Sequence, residues 1–154
     1  MAGPSEAASP TLAYWHVWTD DSGVTHQTSC ELSAFKFESM GGNAAPQWND
    51  RLPTSEANML FCVLPVGWNG DWHENPKPQW IVVVAGRWFV ETMDGTRVEM
   101  DVGEIAFGGD QNSKPDAQGR VGHRSGTLGD EPCTLVIVQL DGGAFVGARP
   151  GDFK

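Results

Sequence analysis

Apolar and polar residues along this chain fall into short runs that alternate residue by residue, which predicts β-strands. Residues 14–19 are aromatic and β-branched, and Asp20-Asp21-Ser22-Gly23 offers a turn into a second strand at 24–29. Residues 33–38 set Phe35 and Phe37 against Lys36 and Glu38. The run 59–65 is nearly continuous in apolar residues, the pattern of a strand buried on both sides. The clearest stretch is 79–104. A strand at 80–85 breaks at Gly86, 87–92 alternates, Asp94-Gly95 signals a hairpin, and 97–100 resumes the sheet. A further strand, 104–107, precedes a polar loop at 108–122, and 133–140 closes the pattern. The one short helix expected follows Pro53, over 54–58.

Many short strands with frequent turn residues predict a single all-β sandwich or barrel, and 154 residues suit one such domain. Its parts are expected as a disordered lead at 1–10, a domain at 11–145 with N-terminal strands in 14–38 and a core in 57–140, and a loose tail at 146–154. The 19 Gly and 10 Pro fit a turn-rich fold. Seven Trp, among them Trp72, Trp80 and Trp88, predict core or interface packing.

The net charge of −10 excludes a basic nucleic-acid face, since the 10 Lys and Arg are scattered, and it disfavours anionic membranes. The N-terminus lacks the basic start and apolar stretch of a signal peptide. Cys30, Cys62 and Cys133 form no Cys-x-x-Cys pair. Neither a disulfide framework nor a thiolate zinc site follows, and a cytoplasmic home is expected.

Four histidines are candidates for chemistry. His73 and His123 each follow a glycine-containing turn near a strand start, where side chains can point into a barrel mouth. Two neutral imidazoles there could hold a divalent metal, or could anchor an organic ligand by hydrogen bonds. His16 and His26 lie on the first hairpin and suit surface or dimer-contact roles. Arg120 and Arg124 could pair with a substrate carboxylate, or remain solvated loop charges.

The segment from Gly67 to Gly86 resembles the first motif of the cupin superfamily. Gly67 stands six positions before His73, and Gly86 seven after Gln79. His73 takes the place of the motif's first histidine, Asn75 that of the second and Gln79 that of the glutamate. The stretch Gly103-Glu104-Ile105-Ala106-Phe107-Gly108-Gly109-Asp110 resembles the opening of the second motif, with Gly109 in place of proline. His123 matches its histidine after a longer loop, and Thr127 replaces its asparagine. The resemblance spans about 57–140.

It implies a cupin-like double-stranded β-helix, or jelly-roll barrel, that encloses a small organic molecule and forms a homodimer through its N-terminal strands. It also implies a divalent ion (Fe, Mn, Zn or Ni) on His73, Gln79 and His123, acting as Lewis acid in isomerase, lyase or oxygenase chemistry. The neutral Asn75 and Gln79 lower the affinity expected for such an ion. They leave open a metal-free binding module, with Asn75, Gln79 and Arg120 on the ligand, and a metal-free acid–base enzyme. Candidate catalytic groups are His73, His123 and Asp110, the last as general base or replacement ligand.

Overall fold

Turn residues cut the chain into strands at nearly every place where the alternation breaks. The computed structural model describes residues 8–154. Its strands are β1 (Leu12–Thr19), β2 (Thr25–Leu32), β3 (Lys36–Glu38), β4 (Gln47–Asn49), β5 (Ala57–Leu64), β6 (Asn69–His73), β7 (Gln79–Ala85), β8 (Arg87–Thr92), β9 (Arg97–Met100), β10 (Ile105–Gly109), β11 (His123–Leu128) and β12 (Cys133–Leu140). The Asp94-Gly95 turn joins β8 to β9 as expected: Gly95 adopts φ 86°, and Thr92 N–H donates to Thr96 O at 2.9 Å.

The strands form a six-stranded sheet, β2-β1-β10-β7-β12-β5, facing a four-stranded sheet, β6-β11-β8-β9. Strands β5 to β12 thus interleave between two sheets in the order of a jelly roll, and the expected all-β, cupin-like fold is the one observed. The first hairpin extends the larger sheet, with β1 parallel to β10 through Trp15↔Ala106 and Trp18↔Gly109. Strands β3 and β4 form a separate ribbon, so the run expected over 33–38 shortens to three residues.

Side-chain alternation divides the large sheet cleanly. Val17, Leu64, Ile81, Val83, Ala106, Cys133 and Leu135 point inward and meet Trp88, Val90, Val98 and Met100 of the smaller sheet. On the outer face Tyr14, Trp80, Phe107 and Leu140 form a second cluster, closed by Phe145 and Phe153. Trp80 thus packs opposite in face to Gln79. The chain end, expected loose, folds onto this face, where Phe153 is buried within 4.7 Å of the Phe107 ring, centroid to centroid. Two aromatic residues in its last ten supply the burial that its glycines do not suggest.

Two further expectations differ from the structure. The described residues contain no helix: 54–55 are irregular, Glu56 is a bend, and Ala57 and Asn58 are drawn into the ladder with Leu140 and Gln139. The apolar run 59–65 forms β5, an edge strand with an open outer face rather than one buried on both sides. The lead at 1–10 lies largely outside the described residues; Ala8 to Pro10 precede the first strand without regular structure. Cys30, Cys62 and Cys133 are free thiols. No helix among the described residues is long and apolar enough to cross a membrane.

Candidate functional site

His73 ends β6 and His123 begins β11, and the two are direct partners in the antiparallel ladder, beside a bulge between His123 and Ser125. Their rings therefore lie 4.6 Å apart, centroid to centroid. Gln79 opens β7 between Gly108 of β10 and Gln139 of β12. All three candidate residues, His73, Gln79 and His123, line one cavity of about 170 Å³ between the sheets. Asn75 and Ser125 share its polar end. Leu64, Trp68, Ile81, Trp88, Leu135 and Ile137 supply the apolar wall, and Cys62 completes it.

A continuous chain of hydrogen bonds runs behind this wall. Gln139 Nε2 donates to Gln79 Oε1 at 3.0 Å, and Gln79 Nε2 donates to Asn75 Oδ1 at 2.7 Å. Asn75 gives its backbone N–H and its side-chain Nδ2 to Asp110 Oδ1, at 2.9 and 2.8 Å. The other carboxylate oxygen, Oδ2, accepts from His123 Nδ1 at 2.6 Å. A carboxylate only accepts, so His123 Nδ1 carries a proton and Nε2 is the ring nitrogen left for the cavity. His73 is set the same way: its Nδ1 donates to the Asp71 carbonyl at 2.5 Å. His123 is buried and His73 lies exposed at the rim.

Two glycines permit this geometry. A Cβ on Gly108 would sit 2.5 Å from Asn75 Cγ, so β10 can pass beneath the amide only without a side chain there. Gly122, at φ 58°, packs against the His73 carbonyl and sets the entry of His123 into its strand.

Asp110 is fully buried and lies behind His123 rather than in the cavity wall. Burial alone would raise its pKa, but His123 and the donors from Asn75 outweigh it and hold the carboxyl below its ordinary value. Asp110 thus orients the imidazole and balances the positive charge it gains on protonation. Arg120 is placed elsewhere. Its guanidinium binds Asp116 at 2.6 Å and lies 5.3 Å from the Trp72 ring, outside the residues that line the cavity. Arg124 pairs with Glu91.

The first-hairpin histidines are also apart from the cavity. His26 bridges Asp20 and Asp94 at 2.7 and 2.9 Å and stacks on Trp18. His16 is buried under the chain end, with Nε2 3.1 Å from the Ala148 carbonyl, and burial lowers its pKa to about 4.

The donors do not suit a resident divalent ion. Both amide oxygens are neutral and each already accepts a hydrogen bond: Asn75 Oδ1 from Gln79, and Gln79 Oε1 from Gln139. Two imidazoles remain, and among the described residues no three His, Cys, Asp or Glu side chains cluster in a metal-holding arrangement. A resident zinc or iron site calls for three or more protein donors.

Three residues of the site carried only weak sequence signals. Gln139 shares the inward face with Leu135 and Ile137, so its alternation marked it as lumenal. Ser125, two positions from His123, and Cys62, two from Leu64, follow by the same period.

No family model and no curated protein matches this chain. Solved structures are similar to it in part. A structure of the DMSP lyases RdDddP and RnDddQII aligns at 15% identity and TM-score 0.43, covering 59% of this chain and 42% of that one. This chain therefore spans less than half of the lyase chain. A cupin domain from Bordetella pertussis aligns at 16% identity and TM-score 0.42, over 60% of this chain and 88% of that one. A putative ethanolamine utilization protein Q from Salmonella typhimurium aligns at 14% identity and TM-score 0.38, over 85% and 97%.

Proposed function

We propose that this protein is a small-molecule enzyme that moves a proton within its cavity, with His123 as the base. The observation that carries this reading is the buried Asp110–His123 pair, in which Nδ1 is the donor and Nε2 is left to a mostly apolar cavity. Such a nitrogen can take a proton from a carbon beside a carbonyl, or from a hydroxyl. The imidazolium that forms is balanced by Asp110, a positioning residue that never touches substrate. The proton returns at a second substrate atom in an isomerisation, or leaves with a displaced group in a lyase reaction. His73, one ring away at the rim, serves as the second proton-handling group. Because the donors do not suit a resident metal, no step is assigned to one.

A cavity of about 170 Å³ limits the substrate to a small organic molecule with a polar head and an apolar or aromatic body. The polar head meets His73, His123, Asn75 and Ser125, and the body meets Leu64, Ile81, Trp88 and Leu135.

The test is solvent deuterium exchange by NMR. Small carbonyl and hydroxy compounds are incubated with the protein in heavy water, with and without a strong chelator. Exchange into a bound compound is expected in both conditions. His123→Ala should lower its rate by roughly 10²–10⁴-fold, the range of general-base contributions. Binding without exchange would identify a ligand-binding module instead. Exchange abolished by the chelator would restore the metal-dependent reading on His73, Gln79 and His123.

A further inference from the structure

Gly70 is buried within β6 and lies outside the left-handed region, so its backbone makes no call for glycine. The space around it does. A Cβ at this position would collide with Cη2 of the Trp68 ring and stand 3.0 Å from Cζ2 and Cζ3. Gly70 is the ladder partner of Ser125, which lines the cavity, so the side chain it lacks would project inward. The Trp68 indole fills that place, lying along the inner face of β6.

The backbone holds the ring there. Trp68 N–H donates to Pro65 O at 3.0 Å, Thr127 N–H donates to Trp68 O at 2.9 Å, and Gly67 turns the chain at φ 74°. The segment 65–68 links β5 to β6, which are edge strands of the two sheets. Among the described residues no ladder joins this pair, so the barrel wall is open between them. Trp68 stands at this opening. It is half-buried, packs against the apolar core and lines the cavity beside Leu64, Trp88 and Leu135.

We infer that Trp68 is a specificity-determining residue, an end wall that limits the ligand to a polar head on a single ring. This rests on the reading that the cavity takes the substrate, and it adds a size class to that reading. Volume sets the limit. A dry cavity of about 150 Å³ takes a benzene-sized guest, and this one measures about 170 Å³. A second ring has nowhere to go unless the indole leaves. The indole is itself two fused rings, so truncating it frees space on the scale of the ring that was excluded. Gly70 is the positioning residue behind this wall. A methyl group there points inward and lifts the indole off β6 into the space meant for ligand.

The test compares methyl phenyl ketone with methyl naphthyl ketone, which carry the same head on one ring and on two. Dissociation constants are measured by ligand-observed NMR on the full chain, with far-ultraviolet spectra to check the fold. The wild type is expected to prefer the phenyl ketone by about tenfold or more, the low end for a size mismatch in an apolar pocket. Trp68→Ala should reverse the preference, and Trp68→Phe should narrow it. The Phe variant keeps a ring in the wall, so it remains decisive where the Ala variant fails to fold. Gly70→Ala should weaken the phenyl ketone by about tenfold, the opposite sense to an opened wall. A wild type that binds both ketones equally, or neither, overturns the inference. So do Trp68 variants with the wild-type ratio, or unchanged phenyl ketone binding in Gly70→Ala. These constants are read without any exchange reaction. Size selection without deuterium exchange would therefore sink only the proton chemistry of His123, and exchange without size selection only the role of Trp68.

Discussion

Replacing Asp110 by Asn is the sharpest probe of the buried pair, because the side chain keeps its shape and loses only its charge and one acceptor. In the native protein three donors converge on this carboxylate, at 2.9, 2.8 and 2.6 Å, in a site closed to solvent. A hydrogen bond to a charged group contributes about 1.5–3 kcal/mol, and one between neutral groups about 0.5–1.5 kcal/mol, so the change removes roughly 1 kcal/mol per bond. Relief of burying a charge returns part of that total. The net loss is about 2–3 kcal/mol, and at about 2–4 °C per kcal/mol for a chain of this size the melting temperature falls by roughly 4–12 °C. The orientation of the new amide is forced. Its oxygen must face the two Asn75 donors, which turns its NH₂ toward His123 Nδ1. That nitrogen must then accept, and the proton moves to Nε2. Nitrogen-15 NMR of the imidazoles reads the tautomer directly: protonated Nδ1 in the wild type, protonated Nε2 in Asp110→Asn. Calorimetry reads the stability. An unchanged tautomer, or a melting temperature within about 1 °C of wild type, would refute the role given to Asp110.

Two other changes test neighbouring parts of the structure. His16 has its pKa lowered to about 4 by burial, against 6.5 as the ordinary value, so the unfolded chain binds the proton first as pH falls. Stability is therefore fully present above pH 6.5, declines from 6.5 to 4, and loses up to about 3 kcal/mol at 1.36 kcal/mol per unit. Urea titrations across that range should show the decline in the wild type and a flatter curve in His16→Phe. Gly108→Ala places a methyl group against the Asn75 amide, 2.5 Å from its Cγ. Deuterium exchange into ligand should then fall at least tenfold while the far-ultraviolet spectrum is unchanged; full retained exchange would show that the amide has room to move.

The sequence was most informative where a local rule decides the outcome. Asp94-Gly95 can do little but turn, and the alternation around Gln79 and Trp80 assigned each to its face. The motif positions His73, Gln79 and His123 do line one cavity, since a glycine frame and a ladder register carry them there. What stayed illegible depends on neighbours distant in sequence. Nothing near Asp110 shows that Asn75 gives it two hydrogen bonds, because that contact exists only where Gly108 lets the loop before β7 settle on β10. Arg120 was open to a substrate carboxylate or to solvent, and its partner is Asp116, four residues earlier. The 59–65 run reads as interior by composition, and only the strand order reveals it as an edge. The tail from 146 looked loose because its aromatic anchor, Phe153, is separated from the rest by glycine and proline.

The interleaved pairing also governs how this chain must come into being. Strand β1 lodges beside β10, and β5 is completed by β12. During synthesis the inner edge of β1 and the oily fifth strand must therefore wait, unpaired, until β10 and β12 respectively have been made. A fragment that stops before β12 leaves β5 without its partner. Splitting the polypeptide between β5 and β12 should yield two pieces that are insoluble apart and recover structure only when made together.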